Sequence, residues 1–254
     1  MTLPTTDPFY LDWNFWTALL ALIAIVLSQL PPVRLLIRPR RLEVEVHSRI
    51  NITHKVGNPN VGLVVSIRNT GGRDLRIRGL NLSVSRDGKL VTSMPGAHYF
   101  ETPSSQASVL FVPFTLKPGE SWAHSVEFLN YFDRLTEKAF RESIAHLDWD
   151  IRRKLRERLE DDKRPVVGDE SLVMPFFELF KRLFIWFPGE YVADLNVFAE
   201  PSTATYQRAY RFTLFESDTA ELREHLEDYR FGVGLTFNAA SHGGVAVPLT
   251  ENGA

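Results

Sequence analysis

The chain has 254 residues, a formal net charge of −2, and 44% apolar and 24% charged residues. That length can bury a substantial core, and the charge balance gives no global footprint for nucleic acid. Because the chain contains no cysteine, disulfides, thiolate metal sites and thiol catalysis are excluded.

Between Asp12 and Arg34 there is no charged residue. The run Trp13 to Val33 has about the length a helix needs to cross a hydrocarbon core. Trp13 and Trp16 stand at one end, where amphipathic rings favour headgroups, and Leu20, Ile23, Leu27 and Leu30 supply apolar surface along it. Pro31 and Pro32 stop the helix. A cleaved signal peptide fits poorly, because Asp7 and Asp12 precede the run, no basic residue does, and no small-residue cleavage pattern follows. Arg34, Arg38, Arg40 and Arg41 follow directly. The positive-inside rule then predicts a single-pass bacterial inner-membrane protein with residues 1–12 outside and the remainder cytoplasmic, the four arginines forming a basic linker beside membrane lipid.

From Leu42 the pattern changes to period two. Leu42–Val46 alternates and Ile50–Thr53 extends that edge strand. Strands are predicted at 61–68, 75–84, 90–92, 108–116 and 121–128, punctuated by Asn69-Thr-Gly-Gly72, Asp87-Gly88 and Lys117-Pro-Gly-Glu120. Phe140, Ile144, Leu147, Ile151, Leu155 and Leu159 then recur at helical spacing, a helix of about six turns. A second helical stripe, Phe176, Phe180, Leu183, Phe184 and Phe187, ends at Pro188-Gly189. Strand character returns at 190–198 and 206–215, and Asp218 with Glu221 marks the start of a short helix. The glycine-rich stretch 238–254 reads as a flexible tail.

Several short strands separated by turns predict a mainly β domain over 42–237 with a helical insertion at about 133–187. The stretch Val65-Ser-Ile-Arg-Asn-Thr-Gly-Gly-Arg-Asp-Leu-Arg-Ile77 resembles the B-to-C region of immunoglobulin-like domains of the CARDB and fibronectin-III-like kind. Leu116-Lys-Pro-Gly-Glu-Ser121 is similar to the turn before their E strand, and Pro188-Gly-Glu-Tyr-Val-Ala-Asp-Leu-Asn-Val197 resembles their F strand. The resemblance covers about half the chain. It implies an immunoglobulin-like β-sandwich and a scaffolding or binding role, with no activity attached.

Features that carry chemistry are sparse. The basic run Arg152 to Arg158 lies among Asp148, Asp150, Glu157, Glu160, Asp161 and Asp162, the pattern of a solvated helix face rather than a phosphate grip. Phe176, Phe180, Phe184 and Phe187 form an aromatic face with Lys181 and Arg182 opposite, suited either to core packing or to a membrane or partner surface. His47, His54, His98, His124, His146, His225 and His242 lack metal-ligand spacing. No nucleophile elbow, P-loop or dinucleotide fingerprint occurs. The expectation is therefore a membrane-held binding, scaffolding or sensing domain without cofactor, metal, nucleic acid or small-molecule substrate, whose partners are lipid and a protein or a second copy. A membrane-perturbing effector of a defence or toxin system and a periplasm-facing envelope module are the alternatives.

Overall fold

The computed structural model describes residues 13–29, 38–102, 105, 107–159, 161–235 and 244–252. Its elements in chain order are α1 (Trp13–Gln29), β1 (Leu42–Val46), β2 (Arg49–Lys55), β3 (Asn58–Asn69), β4 (Leu75–Arg86), β5 (Lys89–Phe100), β6 (Val109–Leu110), β7 (Phe114–Leu116) and β8 (Ser121–Leu129). They continue as α2 (Arg134–Glu157), α3 (Glu170–Leu183), β9 (Gly189–Glu200), β10 (Tyr206–Leu214), α4 (Glu216–Glu224), β11 (Val245–Pro248) and β12 (Thr250–Glu251).

The twelve strands form one sheet in the order β11-β2-β3-β8-β5-β4-β9-β10-β12, with β1 added to β3, β6 to β5 and β7 to β4. All of these pairings are antiparallel. Alternate residues turn inward: Ile50 and Ile52 on β2, Val65 and Ile67 on β3, Leu80, Leu82 and Val84 on β4, and Leu195 and Val197 on β9 are all buried. The sheet coils until its two edges nearly meet. Strand β5 makes that curvature, since its first half pairs with β4 and its second half with β8. A register shift at Gly96 marks the crossing. A Cβ there would lie 3.2 Å from both Leu80 Cβ and Val126 Cγ1, so only glycine admits the close approach without displacement.

This arrangement corrects the immunoglobulin-like sandwich. A sandwich needs two separate facing sheets. Here β5 joins both halves into a single, nearly closed, barrel-like sheet. The local motifs that resemble sandwich strands are strands and turns, but their pairing is different.

The membrane anchor is corrected as well. Helix α1 has 17 residues, about 25 Å at 1.5 Å per residue, against the ~30 Å of a hydrocarbon core. Among the described residues no helix is long and apolar enough to cross a membrane. The single-pass inner-membrane placement, with its outside N-terminus and cytoplasmic domain, loses its basis. Trp13, Trp16, Leu20, Ile23 and Leu27 are exposed on α1; Leu30 and Arg34 lie outside the described residues.

Helices close one end of the sheet. Phe180 and Phe184 of the α3 region lie against His54, with ring centroids 5.2 and 5.7 Å away. Trp186 is fully buried and donates its indole N–H to Thr53 O at 3.0 Å. Gly57 makes this approach feasible: its φ is +80°, and a Cβ would stand 2.7 Å from Phe180 O. At the far end of β3, where Trp122 faces Ile67, the rings of Tyr99, Phe111, Phe114, Trp122 and His124 cluster, with Phe114 stacked on Trp122 at 5.1 Å.

The predicted insertion is two helices, α2 and α3. Asp133 caps α2 by accepting from Leu135 N and Thr136 N at 2.9 and 3.0 Å. Asp218 marks the start of α4 as expected, though from inside it, accepting the Phe215 N–H at 2.8 Å.

Candidate functional site

A groove of about 810 Å³ lies where the sheet fails to close. One wall is the stretch Arg41 to Ser48, which includes β1; the other carries Tyr206, Arg208 and Tyr210 of β10, with Leu249 and Glu251 also lining the groove. Strand β1 pairs with β3 alone among the described strands. On its other side β10 pairs with β12 only at Tyr210 and Arg211, so its first residues are also an open edge.

Main-chain directions follow from single hydrogen bonds, because successive residues of a strand point their N–H and C=O to opposite sides. Thr70 N donates to Arg41 O and His47 N donates to Val64 O, so odd-numbered residues of β1 face β3. Leu42, Val44 and Val46 therefore turn their main-chain groups into the groove. Asn252 N donates to Ala209 O, which makes Gln207 the next residue of β10 to face it. Both walls offer main-chain donors and acceptors to the same space.

The C-terminal strand fills the seam further along. Val245 and Val247 pair with Ile52 and Ile50, and Leu249 N donates to Ser48 O. Thr250 and Glu251 then pair with Arg211 and Tyr210 on the opposite edge. One strand thus bridges β2 and β10, and the groove begins where it ends.

The mouth is held in shape by a buried asparagine. Asn69 Nδ2 donates to Arg73 O and Leu116 O at 2.8 and 2.9 Å, and its Oδ1 accepts the Gly71 N–H at 3.0 Å. Gly71 lies so close to the chain before β1 that a Cβ would sit 2.7 Å from Pro39 O. Inside the groove, the hydroxyls of Tyr206 and Tyr210 are 3.2 Å apart, and Arg208 bridges to Glu251 at 2.6 Å. Burial, reinforced by the Tyr206 hydroxyl, pushes the Tyr210 phenol far above its ordinary range, so it stays neutral and can donate. Glu43 and Glu45 project outward from β1 and are exposed, as is Arg41.

The predicted site residues fall elsewhere, with one exception. Of the basic linker, Arg38, Arg40 and Arg41 are exposed and Arg41 lines the groove. Phe176, Phe180 and Phe184 are core residues, at 1%, 4% and 4% exposure, while Phe187 is 41% exposed. Lys181 and Arg182 are exposed on α3. Arg223 lies over both Phe184 and Phe187, 4.9 and 5.4 Å from their centroids. The basic run on α2 is paired within the helix: Arg152 with Asp148 at 2.7 Å, and Arg153 with Asp150 at 2.7 Å and Glu157 at 3.3 Å.

Asp150 is the buried member of that set, 1% exposed. Its Oδ2 meets Lys154 Nζ at 2.7 Å and accepts the Asp169 N–H at 3.0 Å. Burial alone would raise its pKa, but the bonds from Lys154, Arg153 and the Asp169 amide win and hold it below the usual carboxylate range. The cluster staples α2 to the start of α3.

A cavity of about 50 Å³ is lined by Thr53, His54, Glu221, His225 and Tyr229, among others. His54 has both nitrogens engaged: one is 2.7 Å from Leu222 O, and the other accepts the Gly57 N–H at 3.2 Å. That fixes a neutral tautomer with no lone pair left for general base catalysis. Among the described residues no group of three or more His, Asp or Glu side chains is placed to hold a metal ion; His242 lies outside them.

What the sequence reading missed is the strand pair β11 and β12. Its signal was present as Val245, Val247 and Leu249 at period two, all buried. The glycines before it and the short length of the run hide that alternation.

No family model matches the chain, and no curated protein matches it. Among solved structures, one similar chain is described as the crystal structure of a protein from Archaeoglobus fulgidus, with 9% identity over 70% of this chain and 98% of that one. Its TM-score of 0.27 carries no weight for fold or function.

Proposed function

We propose that this protein is a binding module that holds an extended segment of another polypeptide in the open seam between β1 and β10. The observation that carries the reading is the pair of unpaired edges facing one groove, each presenting main-chain groups that no described strand satisfies. Strand addition to such an edge is a recurring mode of peptide recognition, in which the backbone supplies affinity and alternate side chains supply specificity. Free edges are also a liability in a folded protein, so an edge left open beside a groove this large has a use for a strand. Partner binding retains the binding role expected from the sequence and separates it from any membrane.

The test uses a displayed library of nine-residue linear peptides selected on the folded protein. Selected peptides should lose at least about tenfold in affinity when Gln207 is replaced by Pro. That change removes a seam-facing N–H and leaves the β9 ladder untouched, because proline is tolerated on an edge whose N–H faces outward. Peptides that bind Gln207→Pro as tightly as the parent, or that shift only resonances of α2 and α3, would contradict the reading.

A further inference from the structure

Helices α2 and α3 run antiparallel. Near the end of α2, Asp150 accepts the Asp169 N–H and Lys154 pairs with the Asp169 carboxylate at 2.6 Å, which holds the start of α3. Near the start of α2, Thr136 Oγ1 accepts from Arg182 of α3 at 3.4 Å. Between these two contacts the helices do not close on each other. A groove of about 320 Å³ runs from Thr136 and Arg182 to Ser143 and Pro175. The step from Thr136 to Ser143 is two turns of helix, about 11 Å.

The residue types keep this crevice open. Phe140 and Phe176 line it as a buried floor, 4% and 1% exposed, with ring centroids 5.9 Å apart in an edge-to-face pair. Thr136, Ala139 and Ser143 follow at steps of three and four along one face of α2, and none is long enough to reach across. Pro175 and Leu179 of α3 stand opposite. Pro175 is an exposed proline inside the helix. It removes the hydrogen bond that an N–H there would make to Ser171 O and adds nothing to the core. What it supplies is a rigid apolar wall.

Charged groups stand at the rim. Asp133 is occupied by its capping role: it accepts from Leu135 N and Thr136 N, and from Thr136 Oγ1 at 2.6 Å. Arg182 is exposed, and its contact with Thr136 is long for a charged donor. Among the described residues no ion pair engages Arg182, neither with Asp133 nor with Glu178 one turn earlier on the same rim. A guanidinium in that state has parallel N–H groups to offer a carboxylate.

An apolar floor and wall with a few polar groups at the rim, in a volume of this size, is the profile of a small-molecule site. Independently of the seam, we infer that the groove between α2 and α3 binds a small apolar monocarboxylate, a medium-chain or arylalkyl acid. Its chain lies over Phe140 and Phe176 between Ala139 and Leu179, and its carboxylate pairs with Arg182. Glu178, partway along the rim, repels a second negative charge, so a dicarboxylate is rejected.

Octanoate, octylamine and octanedioate test this, each titrated into the full chain with backbone amide resonances as the readout. Octanoate should shift the amides of Ala139, Phe140, Ser143 and Leu179, and bind at least about fivefold more tightly than either of the others. Arg182→Gln, at an exposed position, should weaken octanoate about fivefold or more and leave octylamine no weaker. Ala139→Leu, also at an exposed position, fills the groove and should weaken octanoate and octylamine alike. Equal binding of the three probes would overturn the inference, as would an Arg182→Gln variant that holds octanoate as tightly as the parent, or an Ala139→Leu variant without effect. So would the absence of any saturable shift with octanoate, or shifts confined to residues outside α2 and α3. Shifts there that only an amphipathic helical peptide produces would make the groove a protein-docking surface and overturn it too.

Discussion

Asp150 shows how one side chain couples charge to packing. Its carboxylate joins α2 to the first turn of α3 through Lys154 and the Asp169 amide. A carboxyl group whose folded pKa lies below its unfolded value stabilises the fold above the unfolded pKa, and that contribution is lost as pH falls through the folded one. For Asp150, which is held below the ordinary 3.8, the loss falls in the acid range below about pH 4. Replacing Asp150 with Asn should lower unfolding free energy by about 2 kcal/mol at neutral pH in urea titration, and the deficit should shrink at pH 3. An equal deficit at both pH values would contradict the assignment. In the sequence, Asp150 is one charge in a mixed run. Its inward turn depends on an amide 19 residues away, which no local pattern reveals. Gly57 is a second case: at φ +80° with Phe180 O in the way, Gly57→Ala should cost about 2 kcal/mol or more, read as a lower denaturation midpoint.

Elements were legible where their periodicity was local. The alternation of Leu42–Val46 is realised, and the helical stripe is realised over Phe140 and Leu147, which are buried, while its last members Leu155 and Leu159 are exposed at 49% and 80%. The aromatic stripe shows the limit of that signal. Spacing identifies an apolar face on Phe176, Phe180 and Phe184, but the surface that receives it, around His54 and Gly57, lies more than a hundred residues earlier. With Phe180 at 4% exposure, Phe180→Ala should destabilise by about 3 kcal/mol, whereas a face turned to lipid would lose little in water. At the C-terminus the contrast is sharper. Val247→Asp should strongly destabilise, because Val247 is 3% exposed opposite Ile50, while Leu110→Asp, at 66% exposure, should change stability by less than about 0.5 kcal/mol. A frayed tail would make the two substitutions alike.

At the scale of the molecule, the sequence showed strands but could not show their closure. Local motifs around Asn69-Thr-Gly-Gly72 and Pro188-Gly189 suit a sandwich and a coiled sheet equally well. The difference lies in β5, whose bulge at Gly96 carries it from β4 to β8. Likewise, an apolar run beside arginines suggests a membrane span, yet among the described residues no helix is long and apolar enough to cross one. The seam was least legible of all, since it is a gap between strands 160 residues apart in sequence, defined by what each edge lacks. Only β1, with Glu43 and Glu45 alternating against Leu42 and Val44, carried an edge signature. Amide hydrogen exchange on the full chain, with and without a selected nine-residue peptide, tests the seam most directly. Bound peptide should slow exchange at Leu42, Val44, Val46 and Gln207 and leave Glu43 and Glu45, already bonded to β3, unchanged. Saturating peptide that leaves those four amides exchanging as before, or protects only another surface, would contradict it.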